Sequence, residues 1–150
     1  MAWGVAYRFL GNATEAEDAA QEAFLKILEA APRYRPTAAF RTFLYQVVTR
    51  LCIDRSRKKR PDRLVDSSAN PSAGASPDEE SSRRERDEAI QGAVGALPPN
   101  QRMSVVLRYF EGLSTCQIAS TLNTSEKAVE RLLARAREAL EPRLARFFEK

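Results

Sequence analysis

Between Arg63 and Ser82 the chain loses the means to build a core. Ser67, Ser68, Asn70, Pro71, Ser72, Gly74, Ser76 and Pro77 crowd this stretch, and Asp78, Glu79 and Glu80 add charge. Such a composition cannot bury enough apolar surface to offset the entropy of ordering, so it reads as a flexible linker. The chain of 150 residues thereby divides into a unit at 1–62, a linker at 63–82 and a unit at 83–150. Each unit is short for a self-sufficient core, and a further surface is expected to help stabilise it.

Both units carry helical periodicity, and strand alternation is visible in neither, so the expected class is all-α: two small helical domains. Ala2 to Leu10 reads as a short helix closed at Gly11-Asn12 by a left-handed cap. Thr14-Glu15-Ala16-Glu17 reads as a capping box opening a helix that runs to about Ala31. Ala20, Ala23, Phe24, Ile27 and Leu28 form its inward stripe, with Asp18, Gln21, Glu22, Lys26 and Glu29 largely outside. A second long helix is expected from Thr37 to Lys59, with Phe40, Phe43, Leu44, Val47, Val48, Leu51 and Cys52 inward. Its end gathers Arg50, Arg55, Arg57, Lys58, Lys59 and Arg60 against Asp54. Cations suit a helix C-terminus, but this many exceed what capping needs. Two readings stand: a solvated charged end, or a surface that contacts phosphates.

The second unit begins with a helix from about Arg83 to Ala96. Pro98-Pro99 opens the next, which runs through Val105, Val106, Leu107 and Tyr109 to Glu111 and stops at Gly112. Ser114-Thr115-Cys116-Gln117 is a further capping box, and Ile118, Ala119 and Leu122 face inward from the helix it starts. Asn123-Thr124 turns the chain and Ser125 caps a longer helix. A short helix, a tight turn and a capped second helix have helix-turn-helix spacing. Val129, Leu132, Leu133, Ala136 and Leu140 face inward; Lys127, Glu130, Arg131, Ala134, Arg135 and Glu138 face out, with Arg137 at the flank. In a recognition helix the first outward residues reach base edges and later basic ones hold phosphates. An ordinary helical hairpin with a charged face is the plainer alternative. Pro142 is expected to end or kink this helix. Leu144, Phe147 and Phe148 follow as a small apolar patch packed on the same unit.

Composition closes off other chemistry. With no His there is no His-based acid–base catalyst, triad or His metal ligand. Cys52 and Cys116 match no zinc spacing and read as buried structural thiols. No cofactor or metal is expected, and the chain reads as a binding protein rather than an enzyme. The formal charge of +4 permits a nucleic-acid partner without requiring one. No run approaches a membrane span and no secretion signal is visible, so a cytoplasmic location is expected.

Three stretches, in order, resemble the extracytoplasmic-function (ECF) sigma factors, the small two-domain initiation factors of bacterial RNA polymerase. The first is Leu10-Gly11-Asn12 followed by Glu15-Ala16-Glu17-Asp18-Ala19-Ala20-Gln21-Glu22-Ala23-Phe24-Leu25. The second is Phe40-Arg41-Thr42-Phe43-Leu44-Tyr45 running into Arg50-Leu51-Cys52-Ile53-Asp54-Arg55. The third is Leu97-Pro98 through Arg102, then Leu107-Arg108-Tyr109 and Glu111-Gly112-Leu113-Ser114, ending in Ala134-Arg135-Ala136-Arg137-Glu138-Ala139-Leu140.

The resemblance implies a sigma region 2-like bundle and a sigma region 4-like helix-turn-helix joined by the linker. It implies two partners, core RNA polymerase and promoter DNA, and an anti-sigma factor as a third. Asp18, Gln21, Glu22, Phe24, Leu25 and Lys26 would meet the polymerase; as residues alone, the acids read equally as a solvated face. Phe40, Arg41, Phe43, Tyr45 and Arg50 would read and melt the −10 element, with Arg55, Arg57, Lys58 and Lys59 on duplex phosphates upstream. Phe43 also fits the core stripe, and it and Arg50 stand where the family often has Trp and Asn. Lys127, Glu130, Arg131, Ala134, Arg135 and Arg137 would serve the −35 element, with Glu130 where many relatives carry a basic residue. The family has further helix ahead of the segment matching Ala2 to Leu10; without it, apolar surface around Phe9, Phe24 and Ile27 is expected to be exposed. An autonomous helix-turn-helix regulator would explain the second unit but not the aromatic and basic helix of the first.

Overall fold

The computed structural model describes residues 1–35, 39–58 and 77–148. Lys59, Arg60, the expected helix start at Thr37, the linker as far as residue 76 and the side chain of Phe148 lie outside the described residues. Within them every regular element is helical. Helix α1 spans Ala2–Leu10, α2 Ala13–Ala30 with a single 3-10 turn after it, and α3 Phe40–Lys58. In the second half α4 spans Pro77–Gly95 and α5 Pro99–Val105, which widens into a π-helical segment at Val106–Phe110. Then come α6, Thr115–Leu122, and α7, Glu126–Phe148.

Local signals set most of these boundaries. Gly11 takes φ 73° and its N–H donates to the Tyr7 carbonyl, ending α1. Ser114 and Gln117 exchange both capping-box bonds, at 2.9 and 3.1 Å. Asn123 closes α6 at φ 55°, and the Ser125 hydroxyl accepts from the Ala128 N–H at 3.1 Å.

Other boundaries depart from the sequence reading. The cap of α2 is Asn12, not Thr14: its Oδ1 accepts from the Glu15 N–H at 3.0 Å. Gly11 supplies the left-handed residue, which leaves Asn12 extended at φ −138° and free to cap the next helix. Residues 77–82, assigned above to the linker, are the first turns of α4. Proline at a helix start and carboxylates in its first turn are both favourable there, and Asp78, Glu79 and Glu80 follow Pro77 directly. Helix α7 runs on through Pro142, which is exposed, while Leu140 and Leu144 on either side stay half-buried. Packing holds the helix across the single backbone bond that proline removes.

The core of the first unit is made of small residues where it faces α2. Ala16, Ala19, Ala20 and Ala23 are buried, whereas Phe24 is 60% and Leu28 69% exposed. The expected inward stripe thus turns by part of a helical turn. Alanines let α1 and α3 approach closely, and the larger apolar side chains are left outside. Cys52 is buried but Cys116 is exposed, so only one cysteine is a core thiol. Burial pushes the Cys52 thiol up to about 12.

The surface that completes each unit is the other unit. Buried side chains from α1, α2, α3, α5, α6 and α7 form one continuous cluster. Phe9, expected to be exposed, is 1% exposed, because Arg102 of α5 covers it. The Arg102 guanidinium lies 4.6 Å from the Phe9 ring centre and its Nη1 donates to the Phe9 carbonyl at 3.2 Å. Its Nε and Nη2 donate to the Leu97 carbonyl at 3.3 and 2.9 Å. A buried cation is costly unless hydrogen-bonded, and these main-chain oxygens meet that need.

Candidate functional site

Three helices carry the residues singled out above. On α7 the arrangement is simple. Val129 and Ala136 are fully buried and fix the helix against α5 and α6. Lys127, Glu130, Arg131, Ala134 and Arg135 are all exposed, and positions three and four apart fall on one face. Charged side chains around the small Ala134 can enter a DNA major groove there. Arg137 departs from the group. It is exposed, but its Nη2 donates to the Tyr109 hydroxyl at 3.5 Å, and that bond raises its affinity for its proton. Arg137 and Tyr109 frame a groove of about 340 Å³ floored by Val105, Leu133, Leu140 and Leu144.

On α3 the residues separate into an aromatic end and a basic end. Tyr34, Phe40 and Phe43 form a cluster in which Tyr34 lies 6.0 Å from Phe40 and 5.1 Å from Phe43, ring centre to ring centre. Phe40 is 53% exposed, Phe43 is half-buried, and Arg41 stands beside them at the surface. Rings and a guanidinium held this way can stack on unpaired bases. Tyr34 is missing from the sequence reading; it lies ahead of α3, outside the helix whose periodicity drew attention to the other two.

Tyr45 does not belong to this surface. It is 2% exposed and packs in the core, and its hydroxyl accepts from Arg41 Nη2 at 3.3 Å. Its place on α3 aligns it with Val48 and Cys52, which are both buried, so periodicity assigns it to the interior. The same hydrogen bond raises the proton affinity of Arg41.

At the basic end, Arg50, Arg57 and Lys58 are exposed. Arg55 is engaged: its Nη2 lies 2.9 Å from Glu22 Oε2 on α2. This pairs a residue expected on DNA with one expected on polymerase. The other polymerase candidates, Asp18, Gln21, Phe24, Leu25 and Lys26, are exposed along α2. Leu28, assigned above to the core, extends their apolar ridge one turn past Phe24 and Leu25, which are each 60% exposed.

Among the described residues no three His, Cys, Asp or Glu side chains are grouped to hold a metal ion. No helix among them is long and apolar enough to cross a membrane. The site is a set of surfaces suited to binding.

Comparison with known proteins follows this division. Residues 1–61 match the family model of Sigma-70 region 2, and residues 87–140 that of Sigma-70, region 4. The ECF RNA polymerase sigma factor SigW of Bacillus subtilis is 35% identical over 92% of this chain and 80% of its own. The RNA polymerase sigma-H factor of Pseudomonas aeruginosa is 31% identical over 94% of this chain and 79% of its own. Two solved structures share the arrangement. CnrH, solved with the cytosolic domain of CnrY, superposes with a TM-score of 0.70 at 25% identity, covering 96% of this chain and 80% of that one. The sigma factor RpoE of Bartonella quintana, solved with the anti-sigma factor NepR, does so at 0.73 and 18% identity, covering 99% and 91%. A recognition helix with its outer face clear, an aromatic and basic helix ahead of it, and relatives of this kind along nearly the whole chain make it a member of the ECF sigma factors, which direct RNA polymerase to promoters.

Proposed function

We propose that the chain binds core RNA polymerase through α2, reads and opens the −10 element with the aromatic end of α3, and reads the −35 element with α7. The observation that carries this is the exposed helix face of Lys127, Glu130, Arg131, Ala134 and Arg135, backed by buried Val129 and Ala136. A rigid helix presenting hydrogen-bonding and cationic groups is what duplex readout requires. The Tyr34, Phe40 and Phe43 cluster supports strand capture, since a stacked base contributes about 1–3 kcal/mol. The exposed ridge of Phe24, Leu25 and Leu28 supports docking on a protein. Arg57 and Lys58 serve duplex phosphates, joined by Lys59. Arg135 does so on α7, and Arg137 once it leaves Tyr109. An anti-sigma factor is a further partner, as NepR is for the structural neighbour RpoE. The chain acts by binding rather than by catalysis, in the cytoplasm with the polymerase it serves. Residues 1–62 form the polymerase and −10 unit, and the −35 unit begins with α4 at Pro77.

The test is run-off transcription by core bacterial polymerase on a genomic promoter library, with and without the protein. New transcripts sharing a pair of upstream elements are expected. No new transcripts, together with no binding to core, would overturn the proposal.

A further inference from the structure

We propose that the groove between the π-helical segment and α7 is a binding site for an aliphatic carboxylate, with the anion on Arg137 and Tyr109 and the tail along Leu140 and Leu144. Of the residues lining this groove, the −35 reading of α7 uses Arg137 alone. The walls come from two separate stretches of the chain. Val105, which is buried, closes the floor from α5, and Leu133, Leu140, Leu144 and Ala145, all half-buried, line it from α7. The π-helical segment carries Tyr109 to the edge, where the residue is 60% exposed. Widened turns of this kind recur at functional sites. The volume of about 340 Å³ is that of a small-molecule site.

The rim selects the ligand. Its polar residues are Tyr109, Arg137 and Glu141. Arg137 Nη2 donates to the Tyr109 hydroxyl at 3.5 Å, and the hydroxyl keeps its own proton to donate. A cationic donor and a neutral one thus converge on one spot, which matches a carboxylate, an acceptor at both oxygens. Glu141 lies one turn further along α7 and holds Arg137 less strongly than Tyr109 does. A cationic head group at the Tyr109 end would meet Arg137 at like charge. From Arg137 to Ala145 the helix advances about 12 Å, past Leu140 and Leu144. An unbranched tail that follows this path stays on apolar side chains and is withdrawn from water.

The test uses the full chain and decanoate below its micelle concentration, followed by calorimetry and by the methyl resonances of the protein. Binding is expected to shift the methyls of Val105, Leu133, Leu140 and Leu144 and to leave those of the exposed Leu25 and Leu28 in place. Affinity should rise up to about fourfold for each methylene between octanoate and decanoate. Arg137→Gln should weaken decanoate about two- to fivefold. Arg143→Gln removes the same charge from an exposed position outside the groove and should leave the affinity unchanged. Ala145→Phe keeps the rim and fills the groove, and should abolish the methyl shifts. No binding, shifts confined to Leu25 and Leu28, or equal losses in Arg137→Gln and Arg143→Gln would each overturn the site. Decyltrimethylammonium binding as tightly as decanoate would overturn the choice of an anion and pass control of the rim to Glu141.

Discussion

Helices α3 and α7 are the two long, cation-bearing helices assigned to DNA, and the fold treats them differently. On α7 the buried and exposed residues separate cleanly, and Lys127, Glu130, Arg131, Ala134 and Arg135 share an open face. On α3 the same residue types are divided among tasks. Tyr45 is core, Arg41 holds the Tyr45 hydroxyl, Arg55 pairs with Glu22 and Gln46 meets α6. A helix that enters an intact duplex needs one clear face and a firm back. A helix that takes a strand apart needs separated features, an aromatic platform and a cationic track, and so shares its surface with the core and with its neighbours.

The largest expected effect breaks this comparison at its aromatic residues. Tyr45→Ala removes a buried ring and should cost about 3–5 kcal/mol of stability by denaturant unfolding. Phe40→Ala removes an exposed one and should change stability by less than about 0.5 kcal/mol, yet cut transcript yield by about 5- to 150-fold, the equivalent of one lost stack. Similar losses of stability in both variants would show that Phe40 is core after all.

A smaller effect sharpens the α7 side. Glu130 can accept a hydrogen bond from a cytosine amino group, and a good base contact discriminates by about 1–3 kcal/mol. Glu130→Ala should shift preference at one position of the −35 element in a promoter-library selection and leave the others alone. Unchanged preference at every position would remove Glu130 from the reading face.

Smaller still is the ion pair at the end of α3. A double-mutant cycle of Glu22→Gln and Arg55→Gln should give about 0.2–1 kcal/mol of coupling in unfolding experiments, as for other partly exposed pairs. Additive effects would mean that the contact at 2.9 Å contributes nothing.

The last comparison is of the thiols. At pH 8 the exposed Cys116 should react with Ellman's reagent in the native protein, while Cys52 stays protected until unfolding. The buried thiol stays protonated up to about 12, whereas the unfolded one ionises near 9.0, so the unfolded state releases its proton first. Stability from this group is full below pH 9 and falls by about 1.4 kcal/mol per pH unit above it, until the folded thiol also ionises. Cys52→Ala should lack that alkaline component; identical alkaline profiles would refute it.

The parts of this fold that were legible in the sequence are the locally determined ones. Gly11, Ser114 with Gln117, and Asn123 act through bonds within a few residues, and each sits where the sequence puts it. Two local signals were outweighed by others. Pro77 with three following acids marks a helix start, but the Ser- and Pro-rich stretch before it made the whole segment read as a linker. Asn12 outcompetes Thr14 because Gly11 already satisfies the end of α1. What periodicity alone misassigns is side-chain size. A stripe of alanines and a stripe containing Phe24 and Leu28 have nearly the same phase on α2, and only the close approach of α1 and α3 decides between them. The meeting of the two units, and with it the burial of Phe9 by Arg102, depends on residues 93 positions apart and leaves no local trace.

The widened segment at Val106–Phe110 has a consequence for how genes of this kind can change length. A helix turns about 100° per residue, so deleting one residue inside α7 would rotate everything after it away from its partners. A π-helical turn holds one residue more than an α-helical turn over the same path. Losing a codon between Val106 and Phe110 would return that turn to ordinary geometry while Val105 and Glu111 kept their bearings. This is a place in the second unit where a helix can lose a residue and leave the register of the recognition helix untouched.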